Sequence, residues 1–398
     1  MASMAFALVA TTAGAWGSLG ATAGAAKKSG GYITIGAAVA KTGSQVFYGG
    51  PAMIAAQKAI ADINVKGGVL GKKLRLVWVD SQSTFAGSAQ AAQQVIAKGA
   101  QVLLVDCDAD FGLPATQIAQ KHGLVAMNLC AGAPSAGNAK VLPLGFSMGV
   151  GTNLESAAMA GYAYSKLHYK SVYLLQDTSI AYSSTLCNYF AEAWKHLGGT
   201  VAGESTFSNS DTSVQAQVSA MLAAQGNYQA IEICSYAPGL ETAVRGIRAA
   251  GINVPLLGSV TWDGTYWLGS SGAGALSNGY YPAYGSIFGD DPSPQVNAVV
   301  SAVKAKMGSV PFTSFLLPGY ASIQAIVAGI KAAGTTNGKK LAAAMSKFRN
   351  LPTIVGPVTY SSTEHTRMLG KVELRIMQIT NGQEKYVQEY APTYVPKP

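Results

Sequence analysis

The stretch from Gly30 to Ser81 decides the fold; it reads GGYITIGAAVAKTGSQVFYGGPAMIAAQKAIADINVKGGVLGKKLRLVWVDS. Its apolar start predicts a strand over 32–40, and the glycine and hydroxyl residues of 41–44 predict a turn. A helix is predicted to begin at Gly49-Gly50-Pro51, because a proline in the first turn of a helix loses no hydrogen bond. The basic and glycine residues at 66–68 predict the end of that helix.

A second strand is predicted just after this helix. Leu74, Leu76 and Trp78 alternate with Arg75 and Val77, which is the period of a strand. A strand, loop, helix and strand in this order place the loop at the carboxyl edge of a parallel sheet, where α/β proteins bind their ligands. The sequence therefore predicts a binding site on the loops that follow the strands.

Helix and strand patterns alternate along the rest of the chain. Helices are predicted over 86–98, 113–122, 154–167, 186–197, 214–224, 240–250, 295–307, 320–333 and 341–348. Strands are predicted over 101–107, 124–129, 172–176, 200–207, 230–234 and 255–257, and a closing hairpin over 372–387. Two runs of such units indicate two doubly wound parallel sheets, and 398 residues are enough for two cores.

Several short motifs of the first unit resemble the leucine/isoleucine/valine-type solute-binding proteins of ABC importers. They are Thr42-Gly43, Tyr48-Gly49, Ala59-Ile60-Ala61-Asp62-Ile63-Asn64, Gly67-Gly68-Val69-Leu70-Gly71 and Asp80-Ser81. The resemblance implies an α/β fold of two doubly wound parallel-sheet lobes joined by a three-segment hinge, the type I periplasmic-binding-protein fold. It also implies that a small molecule binds in the cleft between the lobes.

Three turn-rich joints predict where the chain crosses between the lobes. They lie at 132–152, 277–294 and 350–358. Lobe 1 is expected to comprise residues 30–148 and 283–352. Lobe 2 is expected to comprise residues 149–282 and 353–392.

The net charge of +9 raises the question of an anionic partner. Lysines and arginines are scattered along the chain in runs of no more than two, so no nucleic-acid partner is expected. Charged residues make up only 12% of the chain and hydrophobic residues 49%, which excludes broad disorder.

Residues 1–26 carry no charge and consist mostly of small and apolar residues. Small residues at 23, 25 and 26 precede Lys27-Lys28, a pattern typical of an export signal and its cleavage site. Because the usual basic start is missing, a membrane anchor is the alternative. An exported protein, periplasmic or at the cell surface, is expected in either case. No other segment is expected to be long and apolar enough to span a bilayer.

The four cysteines are Cys107, Cys130, Cys187 and Cys234. They contain no CxxC pair, which argues against a zinc cluster. Cys107 and Cys130 end two successive predicted strands, which could be neighbours at one sheet edge. Disulfides 107–130 and 187–234 are therefore one hypothesis, consistent with export, and four buried thiols are the other.

One motif favours an enzyme instead. Gly145-Phe146-Ser147-Met148-Gly149 fits the G-x-S-x-G pattern of a serine hydrolase, and Asp177, Asp263 and His365 follow in the order of a triad. The preceding segment 141–144 is short and contains a proline, which argues against the buried strand that such a nucleophile needs. We therefore expect no enzyme. Neither metal-ligand spacing nor a complete nucleotide-binding glycine motif is present in the sequence, so no cofactor is expected.

Candidate ligand-binding residues lie on loops predicted at the carboxyl edges of the strands. A small zwitterion needs donors for its carboxylate, an acidic or phenolic group for its ammonium and apolar walls for its side chain. The resemblance implies an aromatic wall at Tyr48, carboxylate-binding positions at Asp108, Cys130 and Gly132, and tyrosines from the second lobe. The full candidate set is Tyr48, Asp108, Ala109, Cys130, Ala131, Gly132, Tyr182, Tyr236 and Asp263.

Three positions depart from the pattern of this family. Asp108 falls where a serine usually binds the ligand carboxylate, and an acid there would repel that group unless it points away or pairs with a cation. Gly132 lacks the hydroxyl of the usual threonine. The usual ammonium-binding glutamate falls near Ser259-Val260, which has no charge, so Asp263 is the candidate replacement if the loop is shifted.

Together these patterns predict a receptor that captures a small polar metabolite, either an amino acid or a related carboxylate or amide. The receptor is expected to be a monomer and to present its ligand to a membrane ABC permease. A ligand-sensing module of a signalling system is the alternative, since the same two-lobe fold also serves in sensors. A serine hydrolase that uses Ser147 is the third hypothesis.

Overall fold

The computed structural model describes residues 31–264, 266–268, 276–370 and 372–398. Residues 1–26, for which an export signal or anchor is expected, lie outside the described residues. Within the described part, strands and helices alternate and form two separate sheets.

The first sheet has five parallel strands in the order β2-β1-β3-β4-β5, which is typical of a doubly wound sheet. Its strands are β1 (Tyr32–Ala38), β2 (Lys73–Val79), β3 (Val102–Val105), β4 (Val125–Asn128) and β5 (Gly145–Ser147). The helices between them are α1 (Val46–Val65), α2 (Phe85–Ala97) and α3 (Ala109–Lys121).

The second sheet has seven strands in the order β12-β11-β10-β9-β8-β6-β7. They are β6 (Ser171–Asp177), β7 (Thr200–Phe207), β8 (Ala230–Cys234), β9 (Leu256–Leu257), β10 (Gly279–Ala283), β11 (Leu374–Thr380) and β12 (Gln383–Tyr390). Its helices are α4 (Thr152–Ser165), α5 (Ala181–His196), α6 (Gln215–Ala223) and α7 (Gly239–Ala249). The β11–β12 hairpin, which the sequence predicted over 372–387, pairs antiparallel, so this sheet is mixed at that edge.

Three helices from late in the chain join α1, α2 and α3 as helices of the first lobe. They are α8 (Pro294–Met307), α9 (Leu316–Ala333) and α10 (Gly338–Met345). Both α8 and α9 pack on α1, and α10 packs on α9 and β4. The two-lobe α/β architecture that the sequence predicted is thereby confirmed.

Helix α1 begins earlier than its proline predicts. The carbonyl oxygen of Gln45 accepts hydrogen bonds from the backbone N–H groups of Tyr48 and Gly49, so a full turn forms ahead of Pro51. This extra turn places Phe47 and Tyr48 on the helix rather than on the loop. The ring of Phe47 stacks on that of Tyr266, with centroids 5.0 Å apart.

Helix α9 meets the length and composition of a membrane span, with 18 residues and a mean hydropathy of 1.2, contrary to expectation. Most of its side chains are buried, and it packs against α1 so closely that a Cβ on Gly319 would lie 2.0 Å from the Ala52 carbonyl oxygen. Its apolar character therefore fits a core helix, since all-round burial gives the same composition.

Three crossing segments connect the sheets, and they contact one another. The N–H of Gly151 donates to the carbonyl oxygen of Arg367 at 2.8 Å, and the N–H of Val150 donates to Tyr284 Oη at 3.1 Å. The buried guanidinium of Arg367 donates to the carbonyl oxygens of Met148 and Val355. These contacts form the hinge between the lobes, and the lobe boundaries given above stay predictions.

Candidate functional site

One cavity gathers loops from both sheets. It encloses about 470 Å³, including the part open to solvent. Its walls contain eight of the nine candidate residues, namely Tyr48, Asp108, Ala109, Cys130, Ala131, Gly132, Tyr182 and Tyr236. Gln45, Ile180 and Phe315 also line the cavity, and sequence reasoning did not single them out.

The loops after β3 and β4 are joined covalently. Cys107 and Cys130 form a disulfide, here the first disulfide, with their Cα atoms 4.6 Å apart. The two strands pair in parallel, with Val105 opposite Asn128, so the loops emerge side by side. The loops that carry Asp108 and Ala131 are therefore held together at the cavity wall.

Cys187 and Cys234 form the second disulfide, with Cα atoms 5.6 Å apart. It joins α5, which carries Tyr182, to the end of β8, which leads to Tyr236. Of the two hypotheses for the cysteines, the structure has the paired one, and the described residues include no free cysteine.

Asp108 is the N-cap of α3 and also lines the cavity. Its Oδ1 atom accepts hydrogen bonds from the N–H groups of Asp110 and Phe111, at 2.9 and 3.3 Å. A carboxylate is favoured there because the helix start carries partial positive charge. Burial, with a smaller contribution from the charge of Asp110, nevertheless raises the pKa of Asp108 to about 6.

Gly132 is required by the hinge. A Cβ on this residue would lie 2.3 Å from the carbonyl oxygen of Val150. Its own carbonyl oxygen accepts a hydrogen bond from the N–H of Thr152 at 2.9 Å. The hinge backbone therefore occupies the space that the side chain of the family's usual threonine would need.

Glu155 does not line the cavity, but it binds two residues of the second-lobe wall. Sequence reasoning missed it. Its Oε2 atom accepts a hydrogen bond from Tyr182 Oη and another from the N–H of Val260, both at 3.0 Å. Burial raises the pKa of this carboxyl to about 8. The only signal in the sequence is a single acid in the otherwise uncharged α4 stretch TNLESAAMAGYAYS.

Two tyrosines supply neutral hydroxyl groups at the cavity. Tyr48 is buried, and its Oη lies 2.8 Å from Oη of Tyr266, a residue of the second lobe. Burial raises the pKa of Tyr48, and burial followed by the charge of Asp177 raises that of Tyr236. Both phenols are therefore protonated over the physiological range.

Asp263 is the candidate that the structure does not bring to the cavity. A short 3₁₀ helix, Val260–Trp262, carries the chain past the cavity wall. The buried carboxylate of Asp263 accepts a hydrogen bond from the N–H of Ser314 instead. The expectation that Asp263 replaces the family's ammonium partner is therefore corrected: this acid connects the second lobe to the segment before α9.

The G-x-S-x-G motif does not form a nucleophile site. Ser147 is fully buried at the end of β5, a short strand that sequence reasoning missed, and its Oγ donates to the carbonyl oxygen of Ala131 at 2.6 Å. The ring of His365 bonds the Gly145 carbonyl oxygen and Ser346 Oγ, and not Ser147. Within the described residues there is also no group of three or more His, Cys, Asp or Glu that could hold a metal ion.

Comparison with known proteins identifies the family. The periplasmic binding protein family matches residues 32–384, and the chain belongs to it. Membership places the chain among binding proteins rather than enzymes, as the sequence predicted.

Two curated relatives cover most of the chain. One is the Leu/Ile/Val-binding protein BraC3 of Rhizobium johnstonii, 25% identical over 346 residues, which covers 83% of this chain and 88% of the relative. Another is the Leu/Ile/Val-binding protein of Escherichia coli, 24% identical over 340 residues, with 82% and 86% covered.

Solved structures have the same fold. LivJ of Streptococcus pneumoniae, a branched-chain amino acid binding protein in complex with isoleucine, superposes with a TM-score of 0.78. It is 23% identical, and the match covers 92% of this chain and all of that one. A solute binding protein of R. palustris in complex with benzoate gives a TM-score of 0.73 at 17% identity, with 92% and 98% covered. At these identities the likeness establishes the fold alone.

Proposed function

We propose that the protein is an exported receptor of an ABC importer, which binds an amino acid or a related small metabolite and presents it to a membrane permease. The observation that carries the proposal is the convergence of the candidate loops from both lobes on one cavity. Its aromatic walls and phenolic hydroxyls suit a small organic molecule with a few polar groups. Two disulfides also suit an oxidising compartment outside the cytoplasm.

Binding and lobe closure are coupled in this proposal. Tyr48 and Asp108 belong to the first lobe, whereas Tyr182 and Tyr236 belong to the second. Only the closed form brings both sets against one ligand, so the ligand stabilises that form. The closed monomer is then the form that the permease binds.

A thermal-shift screen of the purified protein tests the proposal. The panel contains the twenty amino acids, small carboxylates, amides and polyamines. A ligand at about a hundred times its Kd adds about 2.7 kcal/mol of stability, which raises the Tm by a few degrees. We expect hits among the amino acids and their relatives. Silence over the whole panel would contradict the proposed ligand class.

A further inference from the structure

The cavity is acidic, although the chain as a whole is basic. The chain has a net charge of +9, yet the described residues that line the cavity include no Lys, Arg or His. Asp108 stands in the wall itself. Asp106 and Asp110 lie close enough to interact electrostatically with Asp108, and Asp177 interacts with Tyr236.

Among the described residues that line the cavity, the second lobe adds no positive charge. Glu155 lies behind Tyr182 and Val260, and its Oε1 atom has no hydrogen-bond partner among the described residues. That atom would lie 3.4 Å from a Cβ on Gly132, a residue of the opposite wall. The buried cation of the hinge, Arg367, donates from Nη1 and Nη2 to backbone carbonyl groups, and it does not line the cavity.

The orientation of Asp108 decides what it can bind. Both capping hydrogen bonds go to Oδ1, and Oδ2 accepts none from the described residues, while Asp108 itself lines the cavity. The helix start offsets only part of the charge, because its partial charge is about half a unit and like charges lie nearby. In a site sheltered from water, a ligand carboxylate against this wall would be repelled and an ammonium attracted.

We propose that the cavity selects its ligand by a protonated amine, which binds Oδ2 of Asp108 between the rings of Tyr48 and Tyr236, and that it rejects simple carboxylates. This inference rests on the proposed function and adds the ligand's charge. Aromatic faces beside the amine strengthen the preference through cation–π attraction. A carboxylate in the same ligand binds away from Asp108.

Matched probes test the proposal by calorimetry on the intact protein. L-leucine amide has the amine without the carboxylate, and 4-methylpentanoate has the carboxylate without the amine; benzylamine and benzoate form a second pair. We expect the wild type to bind the amine of each pair at least tenfold more tightly. Equal or tighter binding of either carboxylate overturns the proposal.

Two variants separate charge from helix capping. Asp108→Asn and Asp108→Ser both keep a side-chain cap on α3, so the fold is retained. Both are expected to lose tenfold or more in affinity for the amine probes, and Asp108→Ser is expected to gain affinity for 4-methylpentanoate. Asp62→Asn makes the same charge change at a half-buried position near the opposite end of α1 and should leave affinity within twofold. Unchanged amine binding by Asp108→Asn overturns the proposal.

The pH dependence gives an independent readout. The groups that face Asp108 are Asp106, Asp110, Tyr48 and Tyr236. Because the pKa of Asp108 is about 6, wild-type affinity for benzylamine should fall as the pH drops below 6. In Asp108→Asn this fall should disappear. Binding of carboxylates alone, or of no probe while the thermal-shift panel gives hits, would overturn only this proposal. Silence of the thermal-shift panel as well would overturn both.

Discussion

The two walls of the cavity are built differently. The first-lobe wall consists of loops that leave neighbouring parallel strands and are joined by the first disulfide, with Asp108 fixed by the backbone of its own helix. The second-lobe wall depends on Glu155, a buried acid of α4 that holds Tyr182 and Val260 from distant parts of the chain. Local geometry therefore sets the first wall, whereas long-range links, the Glu155 acceptor and the second disulfide, set the second.

Loss of either disulfide should have the largest effect on stability. The first and second disulfides span 23 and 47 residues. The entropy of the closed loop then predicts how much free energy of unfolding each double variant loses. The loss is about 3 kcal/mol for Cys107→Ser combined with Cys130→Ser, and about 4 kcal/mol for Cys187→Ser combined with Cys234→Ser. Urea unfolding measures both. Ligand affinity should fall more for the first pair, because its loops carry Asp108; equal affinity losses would contradict the contrast between the walls.

Truncation of Glu155 should damage the second wall. Glu155→Ala leaves the Tyr182 hydroxyl and the Val260 N–H without an acceptor. The free energy of unfolding is expected to fall by about 2 kcal/mol as a result. Glu155→Gln keeps an acceptor and is the matched control, with an expected loss below about 1 kcal/mol near pH 5. Equal losses for the two variants at that pH would count against this network.

Glu155 should also make the stability of the protein depend on pH. Burial raises the pKa of Glu155 to about 8, so between about pH 4.5 and 8 the folded protein holds a proton that the unfolded chain has released. Stability should therefore fall as the pH rises through this window, and Glu155→Gln should remove that part of the fall. Denaturant titrations of both proteins at pH 5 and pH 8 measure the difference. Parallel pH profiles would refute the assignment.

Tyr236 tests the second wall through binding. Tyr236→Ala should weaken the best ligand of the thermal-shift panel about tenfold, the loss of one good contact, without unfolding the protein. Tyr236→Phe keeps the ring and should lose less. Calorimetry gives both affinities, and an unchanged Kd for the alanine variant would mean that the ligand binds elsewhere.

Ser147→Ala should have the smallest effect. It removes the hydrogen bond that Oγ donates to the Ala131 carbonyl oxygen and the one that it accepts from the Gly149 N–H, with an expected loss of about 1 kcal/mol in stability and none in ligand affinity. A fluorophosphonate should not label the wild type, because this serine is fully buried. Labelling at Ser147 would restore the hydrolase hypothesis.

The sequence predicts the first wall well, because its signals are local. Strand endings, loops and helix starts follow each other within short segments, so Asp108 and Cys130 could be placed at one sheet edge. The start of α1 was misplaced by three residues, because hydrogen bonds to Gln45 build a turn ahead of the proline.

The second wall could be predicted only in part. The tyrosines at 182 and 236 were placed by resemblance, but the acceptor behind Tyr182 and Val260 was not. Glu155 is 27 residues from Tyr182 and 105 from Val260, and no local pattern reports such distances. Asp263 was misplaced because the 3₁₀ helix before it turns the chain toward Ser314.

The three crossings of the hinge have a consequence for folding order. Helix α1, among the first elements of the chain, packs against α9, which follows the whole parallel part of the second sheet. The second sheet in turn receives its β11–β12 edge only after α10. A chain that ends before α8 therefore completes neither lobe. Contacts between such distant segments make folding slow, and we expect the two lobes to acquire their final packing only once the last strands have emerged.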